Sequence, residues 1–347
     1  MVRLFFFLLL LVLCPYDAAV VSAGRYGPPG ASCYKRLFSL GDSTTDTGNL
    51  ASVAPNSSVL AFPYGETFFH RPTGRFCDGR LIVDFIAEAL KLPFVTPFLT
   101  GKTAADFRHG ANFAVSGATA LGQQFFRDMG LDLAILPPFS LDVQLGWFER
   151  VLHLLGPTEK ERQDIMSSSL FLLGEIGIND YNYPFLQNRS FADEIRPLLP
   201  KVIDKIENAT KSDDPGTYDA AGCIRWLNEF AEEHNRALRR MLRRVPRSPA
   251  VAVVYADYYA AVQEITRDPL KHGFRKDAAL TACCGDGGPH NSGVLISCNA
   301  TSVLCPDPSE HISWDGVHLT EAAYRFVARG VLDGPYAAPP ILSTCAC

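Results

Sequence analysis

A hydroxyl, a carboxylate and an imidazole in distant parts of the chain are the groups that nucleophilic catalysis requires. Ser43 ends the segment Gly41-Asp42-Ser43, directly after a short apolar run. Because an unassisted serine hydroxyl is a weak nucleophile, it needs a base. Asp315 and His318 are three residues apart, so the carboxylate can reach one imidazole nitrogen and leave the other for the serine proton. Taken singly, Ser43 could equally be a loop residue, and an Asp-x-x-His pair occurs often by chance.

The elements that must position these residues are predicted from apolar runs and helical spacing. Alternating strands and helices favour a parallel sheet covered on both faces, and active sites of such sheets lie at the carboxyl ends of the strands. Thr320 is a good N-cap for the last helix. The lipase elbow Gly-x-Ser-x-Gly is absent around Ser43. We predict strands at 37–40, 169–173 and 250–255, and helices at 81–90, 193–208, 220–245 and 320–332.

Composition limits the class of protein. The chain has 347 residues, 47% of them hydrophobic and 20% charged, with a net charge of −5. Such a chain can bury a large core and is not of the disordered type. An acidic chain gives no support for nucleic-acid binding, which needs a basic surface. Since no linker rich in Pro, Gly and Ser divides the sequence, we predict one domain over residues 24–347.

The first 23 residues have the pattern of a signal peptide. Arg3 precedes the apolar run Leu4–Leu13, and small residues at Val21-Ser22-Ala23 predict cleavage after Ala23. The run is about half the roughly 20 residues that a membrane helix needs. The alternative is an N-terminal membrane anchor. We expect no stable membrane span in the mature protein, and we expect it to be secreted or to lie in the secretory pathway (extracellular space, cell wall or vacuole).

Sequons and cysteines also fit export. Nine cysteines follow the predicted cleavage site, which predicts disulfides in an oxidising compartment. Since nine is odd, one cysteine lacks an intramolecular partner, and we expect Cys283 and Cys284 to pair with separate cysteines. A zinc site is disfavoured because Cys-x-x-Cys is absent. The possible glycosylation sites are Asn56, Asn188, Asn208 and Asn299.

Four blocks of sequence occur in order along the chain: Gly41-Asp42-Ser43 with Asp46-Thr47-Gly48-Asn49, the segment 110–118, the segment 177–181, and the segment 314–323. Together they resemble the plant GDSL esterase/lipase family of SGNH hydrolases. The resemblance covers nearly all of the mature chain. It implies a three-layer α/β/α, flavodoxin-like fold with a parallel sheet.

The resemblance also implies the role of each site residue. Ser43 would be the nucleophile, His318 the general base and then acid, and Asp315 the partner that orients His318. The oxyanion hole would consist of the backbone N–H groups of Ser43 and Gly117 and the side-chain amide of Asn179. In isolation, Gly117 could instead form a tight turn and Asn179 could cap a helix. The reaction implied is hydrolysis of a carboxylic ester through an acyl-enzyme, with no metal or organic cofactor.

The chain departs from the family pattern at two places. Ile178 replaces the second glycine of the usual Gly-Gly-Asn-Asp, which would be strained if that position needs a positive φ. Between the predicted helices, residues 211–219 are polar, whereas related sequences have about thirty residues with a strand and one more cysteine. We hypothesise that this chain lacks one core strand, through splicing, a gene-model error or a true deletion.

Three functions stay open from the sequence. The first is a secreted esterase or lipase that acts on a small-molecule or polysaccharide ester. The second is an acyltransferase that uses the same triad and passes the acyl group to an alcohol. The third is an inert truncated isoform. The sequence identifies neither the natural substrate nor the oligomeric state.

Overall fold

The structure is a computed structural model that describes residues 9–13, 34–135, 137–195, 197–198, 225–244, 252–288, 290–292 and 298–344. Its strands are β1 (Leu9–Leu13), β2 (Arg36–Leu40), β3 (Thr96–Pro97), β4 (Gly110–Asn112), β5 (Ser169–Gly174), β6 (Ala252–Ala256), β7 (Cys284–Gly285) and β8 (Val303–Leu304). Its α-helices are α1 (Asn49–Val53), α2 (Ile82–Ala89), α3 (Gln123–Asp128), α4 (Leu141–Leu155), α5 (Glu159–Ser167), α6 (Ile178–Leu186), α7 (Arg225–Arg244), α8 (Tyr258–Arg267) and α9 (Glu321–Leu332).

Six strands form the main sheet in the order β3-β4-β2-β5-β1-β6. Strands β3, β4, β2 and β5 are mutually parallel, with Leu37 of β2 opposite both Gly110 and Leu170. Because β1 is antiparallel to both β5 and β6, β6 runs in the same direction as the other four. The predicted parallel sheet is therefore confirmed, with one antiparallel strand inserted.

Side chains alternate between the two faces of the sheet, as the period of two along a strand requires. In β2, Leu37 lies in a core with helices α2, α8 and α9. The next residue, Phe38, lies in a second core with helices α4, α5 and α7. In β5, Leu170 likewise lies in the first core and Phe171 in the second. Helices thus cover both faces, which confirms the predicted three layers.

Strand β1 comes from the apolar run of the predicted signal peptide. Leu9 lies opposite Gly174 of β5 and opposite Ala256 of β6, so β1 fills a position between two parallel strands. Among the described residues, β5 and β6 do not pair directly. This sheet position is therefore filled by residues of the predicted leader and not by a described strand of the later chain. The segment 211–219 itself lies outside the described residues.

Most predicted elements lie close to their predicted bounds. The strands at 37–40, 169–173 and 250–255 correspond to β2, β5 and β6, and the helices at 81–90 and 320–332 to α2 and α9. Thr320 caps α9, because its hydroxyl accepts a hydrogen bond from the N–H of Ala323 at 3.3 Å. The described part of the helix at 220–245 is α7. The predicted helix at 193–208 lies largely outside the described residues.

Two disulfides hold the segment before α9. Cys283 pairs with Cys305 and Cys284 with Cys298, so the adjacent cysteines have separate partners, as predicted. Among the described residues, Cys77 is free and buried. The other cysteines after the predicted leader lie outside that part of the chain. No helix within the described ranges is both long and apolar enough to cross a bilayer.

Candidate active site

The segments that follow three neighbouring strands carry the predicted site residues at one edge of the sheet. Strand β2 leads into Gly41-Asp42-Ser43, β4 into the segment 113–117, and β5 into the segment 175–179. The three strands are parallel, so their carboxyl ends meet at the same edge. The fold therefore brings Ser43, Gly117 and Asn179 to one side of the sheet, although 136 residues separate the first from the last.

A buried glutamine fixes the start of the loop that carries Ser43. The side chain of Gln144, in α4, accepts a hydrogen bond from the N–H of Gly41 and donates one to its C=O, both at 2.9 Å. A Cβ at Gly41 would lie 2.9 Å from the carbonyl oxygen of Glu175. The loop is thus held between α4 and the end of β5, and Ser43 itself remains partly exposed.

The carboxylate of Asp46 joins the first sequence block to the second. It accepts hydrogen bonds from the N–H groups of Gly48 and Asn49 at 2.8 and 2.6 Å, and from that of Ser116 at 2.9 Å. Ser116 is the residue before Gly117, so the Ser43 loop and the Gly117 turn are held together by one buried side chain.

The Gly117 turn is bound in the same way to the helix that carries Asn179. The amide of Asn179 donates to the carbonyl of Ala118 at 3.0 Å, and the hydroxyl of Tyr183 donates to the carbonyl of Gly117 at 3.0 Å. Asp180 accepts from the N–H groups of Ala120 and Leu121. Burial raises the pKa of Asp180 to about 7, against the lowering effect of these two donors.

Two backbone donors point to no protein acceptor. Within the described part of the chain, the N–H groups of Ser43 and Gly117 make no hydrogen bond. A primary amide has two N–H donors, and Asn179 uses one of them on Ala118. These three groups are therefore available to donate to an oxygen atom of a bound molecule.

Gly117 is a turn residue, and its backbone requires glycine. Its φ is +80°, and a Cβ there would lie 2.6 Å from the hydroxyl of Tyr183. Asn179, by contrast, does not cap a helix, because the N-cap of α6 is Gly177 with φ of 111°. The helix-cap interpretation of Asn179 is thus wrong, since α6 begins one residue earlier.

The replacement of glycine by Ile178 causes no backbone strain. Among the described residues, Ile178 is not one of the non-glycine residues with a positive φ. It is the first residue of α6, while the left-handed conformation falls on Gly177. The loop therefore tolerates Ile178.

Asp315 and His318 make the contact that their spacing predicts. The Nδ1 atom of His318 lies 2.8 Å from Oδ2 of Asp315. The other oxygen, Oδ1, accepts hydrogen bonds from the N–H groups of Val317 and His318 at 3.0 and 2.8 Å. Burial alone would raise the pKa of Asp315, but the charge of His318 and these hydrogen bonds hold it below its ordinary value. Asp315 therefore stays ionised beside the imidazole.

The second nitrogen of His318 is free for a proton. Its Nε2 is buried and has no hydrogen-bond partner among the described residues. The ring of Phe76 packs against the imidazole with centroids 4.8 Å apart. Burial raises the pKa of Asp42, the neighbour of Ser43, and the charge of His318 is among the effects that oppose this rise. Ser43 and His318 are not hydrogen-bonded to each other here, and such contacts often tighten only with substrate bound.

Sequence reasoning missed the residues that hold the site together. Gln144, Asp180 and Tyr183 have partners between 59 and 103 residues away, so no local spacing links them. The Gly-Ile-Asn-Asp-Tyr block does contain Asp180, and that was the available signal. No cluster of three or more His, Cys, Asp or Glu that could hold a metal occurs among the described residues.

Comparison with known proteins places this chain in a family. The model of the GDSL-like Lipase/Acylhydrolase family matches residues 37–331, which contain all five predicted site residues. The chain belongs to the GDSL lipase/acylhydrolase family. Its class is therefore that of the carboxylic ester hydrolases. A GDSL family match of this extent also agrees with the α/β sheet described above.

Relatives from plants cover nearly the whole chain. A GDSL esterase/lipase of Arabidopsis thaliana is 42% identical over 347 positions, covering 90% of this chain and 87% of the relative. The sinapine esterase of Brassica napus is 40% identical over 357 positions, covering 91% and 90%. Since 90% of this chain is fewer than 347 residues, the first alignment includes positions where this GDSL protein has no residue. This agrees with a missing internal segment.

Proposed function

We propose that this GDSL protein hydrolyses carboxylic esters through an acyl-enzyme on Ser43, with His318 as the base and Asp315 as its partner. The single observation that carries the proposal is the buried Asp315–His318 pair, in which Nδ1 of His318 is held by the carboxylate and Nε2 has no partner among the described residues. Membership of the family supplies the reaction class, and this pair supplies the proton acceptor.

The first half of the reaction forms the acyl-enzyme. Oγ of Ser43 attacks the ester carbonyl carbon, and its proton passes to Nε2 of His318. The carbonyl oxygen becomes an oxyanion, which the N–H groups of Ser43 and Gly117 and the free N–H of Asn179 stabilise. Each such donor is worth roughly 3–4 kcal/mol in the transition state. The bond to the leaving oxygen then breaks, and His318 returns the proton to release the alcohol.

The second half releases the acid. Water gives its proton to Nε2 of His318 and attacks the acyl carbon, and the bond to Oγ of Ser43 breaks. His318 then protonates Ser43, and the enzyme is restored. Asp315 stabilises the imidazolium in both halves because its carboxylate is ionised and hydrogen-bonded to Nδ1.

Secretion is part of the proposal. Two disulfides favour an oxidising compartment. Among the sequons, Asn56, Asn188 and Asn299 are exposed and accessible to glycosylation, while Asn208 lies outside the described residues. Cleavage after Ala23 stays a prediction, and it would remove strand β1.

Covalent trapping tests the mechanism. A fluorophosphonate ester should add one phosphonyl group to the folded protein, and peptide mass spectrometry should place it on Ser43. The variant His318→Ala should react slowly, and His153→Ala, an exposed histidine of α4, should react like wild type. Labelling at another residue would contradict the assignment.

An added alcohol, which can accept the acyl group, distinguishes acyl transfer from hydrolysis. Both reactions share the acyl-enzyme, so trapping does not distinguish them. Methanol or glycerol at increasing concentration competes with water for the acyl group. A hydrolase should release mostly free acid at low acceptor concentration, whereas a transferase should release mostly the new ester. An inert isoform would show neither product and no labelling.

A further inference from the structure

A buried tyrosine contacts the triad from a distant part of the chain. The hydroxyl of Tyr64 donates a hydrogen bond to Oδ2 of Asp315 at 2.9 Å. Tyr64 is 0% exposed, and its ring packs edge-on against Phe76 and Trp314, with centroids 5.8 and 6.0 Å away. Phe76 is also the residue that packs on the ring of His318. The tyrosine thus belongs to the same packed cluster as the triad.

Tyr64 donates to the same carboxylate oxygen of Asp315 that binds the imidazole of His318. Oδ2 of Asp315 accepts from Nδ1 of His318 at 2.8 Å and from Tyr64 at 2.9 Å. Oδ1 accepts only backbone N–H groups. Of the donors to Asp315, Tyr64 is therefore the one side chain other than His318 itself, among the described residues.

We propose that Tyr64 is a positioning residue of the triad, which orients the Asp315 carboxylate and withdraws charge from the oxygen that binds His318. The inference rests on the proposed function of the triad and deepens it. Two donors that share one carboxylate oxygen divide its negative charge, so each weakens the hydrogen bond of the other. Tyr64 thus limits how strongly Asp315 stabilises the imidazolium.

Tyr64 remains a hydrogen-bond donor to Asp315 over the whole working range of pH. Burial, together with the adjacent charge of Asp315, raises the pKa of Tyr64 above its ordinary value. The phenol therefore remains a neutral donor. A phenylalanine at this position would keep the ring contacts with Phe76 and Trp314 and would remove the hydrogen bond to Asp315, together with the contact of the hydroxyl with the side chain of Ser58.

The variant Tyr64→Phe should move the acid limb of the pH–rate profile. Without the hydrogen bond from Tyr64, the full charge of Asp315 acts on His318 and stabilises its imidazolium form more strongly. His318 therefore becomes protonated, and stops acting as a base, at a higher pH. We expect the acid limb of kcat/KM to move up by about 0.5 pH unit. We also expect kcat to fall by about threefold to tenfold, with KM nearly unchanged, because the carboxylate is less well oriented.

The matched control is Tyr324→Phe. Tyr324 is equally buried, and its hydroxyl makes no hydrogen bond to the triad among the described residues. This variant should leave the acid limb in place. If Tyr64→Phe lowers only the melting temperature and leaves the acid limb in place, Tyr64 is merely structural and the inference is overturned.

A second measurement needs no turnover. In Tyr64→Phe, the Nδ1–H proton of His318 should move downfield in the ¹H NMR spectrum, since it no longer shares Oδ2. Replacing Tyr64 with 3-fluorotyrosine gives a stronger donor with nearly the same shape, and it should move both the proton and the acid limb in the opposite direction. An unmoved resonance in both proteins would refute the inference. A shifted resonance in an enzyme without esterase activity would refute only the proposed function.

Discussion

The carboxylate of Asp180 holds the backbone N–H of Leu121 at 2.9 Å. Through this contact, the helix that carries Asn179 is bound to the turn that carries Gly117. The two proposed oxyanion donors are therefore held together before any substrate arrives. Preorganised donors of this kind need no reorganisation during the reaction, which is what makes them effective.

The variant Gly117→Ala should damage both activity and stability. Its φ of +80° disfavours any other residue, and the added Cβ would lie 2.6 Å from the Tyr183 hydroxyl and 2.8 Å from Pro137. We expect kcat/KM for a nitrophenyl ester to fall by about 100-fold or more, since an oxyanion donor is displaced. Urea unfolding should show a loss of about 1–3 kcal/mol.

The control for that variant is Gly122→Ala, five residues along the same segment. Gly122 has φ of −74°, and a Cβ there would meet nothing within 4 Å. We expect the free energy of unfolding to change by less than about 0.5 kcal/mol and activity to be unchanged. Equal effects of the two substitutions would show that Gly117 has no special place in the site.

Stability should fall with rising pH through the titration of Asp42. Burial raises the pKa of Asp42 to about 6, whereas its ordinary value is 3.8. Between these values the folded protein binds more protons than the unfolded chain, so the free energy of unfolding decreases as pH rises through that window. The Oδ1 atom accepts from Thr44, while Oδ2 has no partner among the described residues.

The variant Asp42→Asn isolates this effect. Asparagine does not titrate, and it can keep the hydrogen bonds from Thr44. Relative to the variant, wild type should lose up to about 3 kcal/mol between pH 4 and pH 7, as measured by urea unfolding. Burial, together with the charge of Asp42, raises the pKa of Glu175 and of Asp180, so the substitution also changes how these two carboxyls titrate and part of the difference arises through them. A difference that stays constant from pH 4 to pH 7 would rule out this titration.

Much of the fold was predictable from local patterns, and the site contacts mostly were not. The strand at 37–40 and the helix at 320–332 follow from apolar runs and a capping residue. The Asp315–His318 contact follows from a spacing of three. By contrast, Tyr64 meets Asp315 across 251 residues, and such a contact depends on how the whole sheet brings loops together. Nothing near Tyr64 in the sequence indicates it.

Strand β1 shows a different limit of sequence reasoning. An apolar run such as Leu4–Leu13 is typical of a signal peptide and equally able to pair in a buried sheet. The strands with which such a run can pair decide which structure forms. In the full chain, the position between β5 and β6 is open to a strand, and Leu9–Leu13 fills it.

Removal of residues 1–23 should therefore destabilise the protein. Without β1, the facing edges of β5 and β6 lose their partner, and unpaired edges favour aggregation. A native domain is stable by only about 5–15 kcal/mol, so the loss of a central strand takes a large share. We expect the chain that starts at Gly24 to unfold at lower urea concentration than the refolded full chain and to bind more of a hydrophobic dye. Equal unfolding curves would show that β1 contributes nothing to the fold.

Hydrolysis of a short-chain nitrophenyl ester by the purified protein tests the central claim most directly. Wild type, Ser43→Ala and the exposed-site control Ser167→Ala should be compared at equal concentration, with folding checked by circular dichroism. We predict that Ser43→Ala loses activity by about 1,000-fold or more while Ser167→Ala keeps it. Full activity in folded Ser43→Ala would contradict the assignment of Ser43 as the nucleophile.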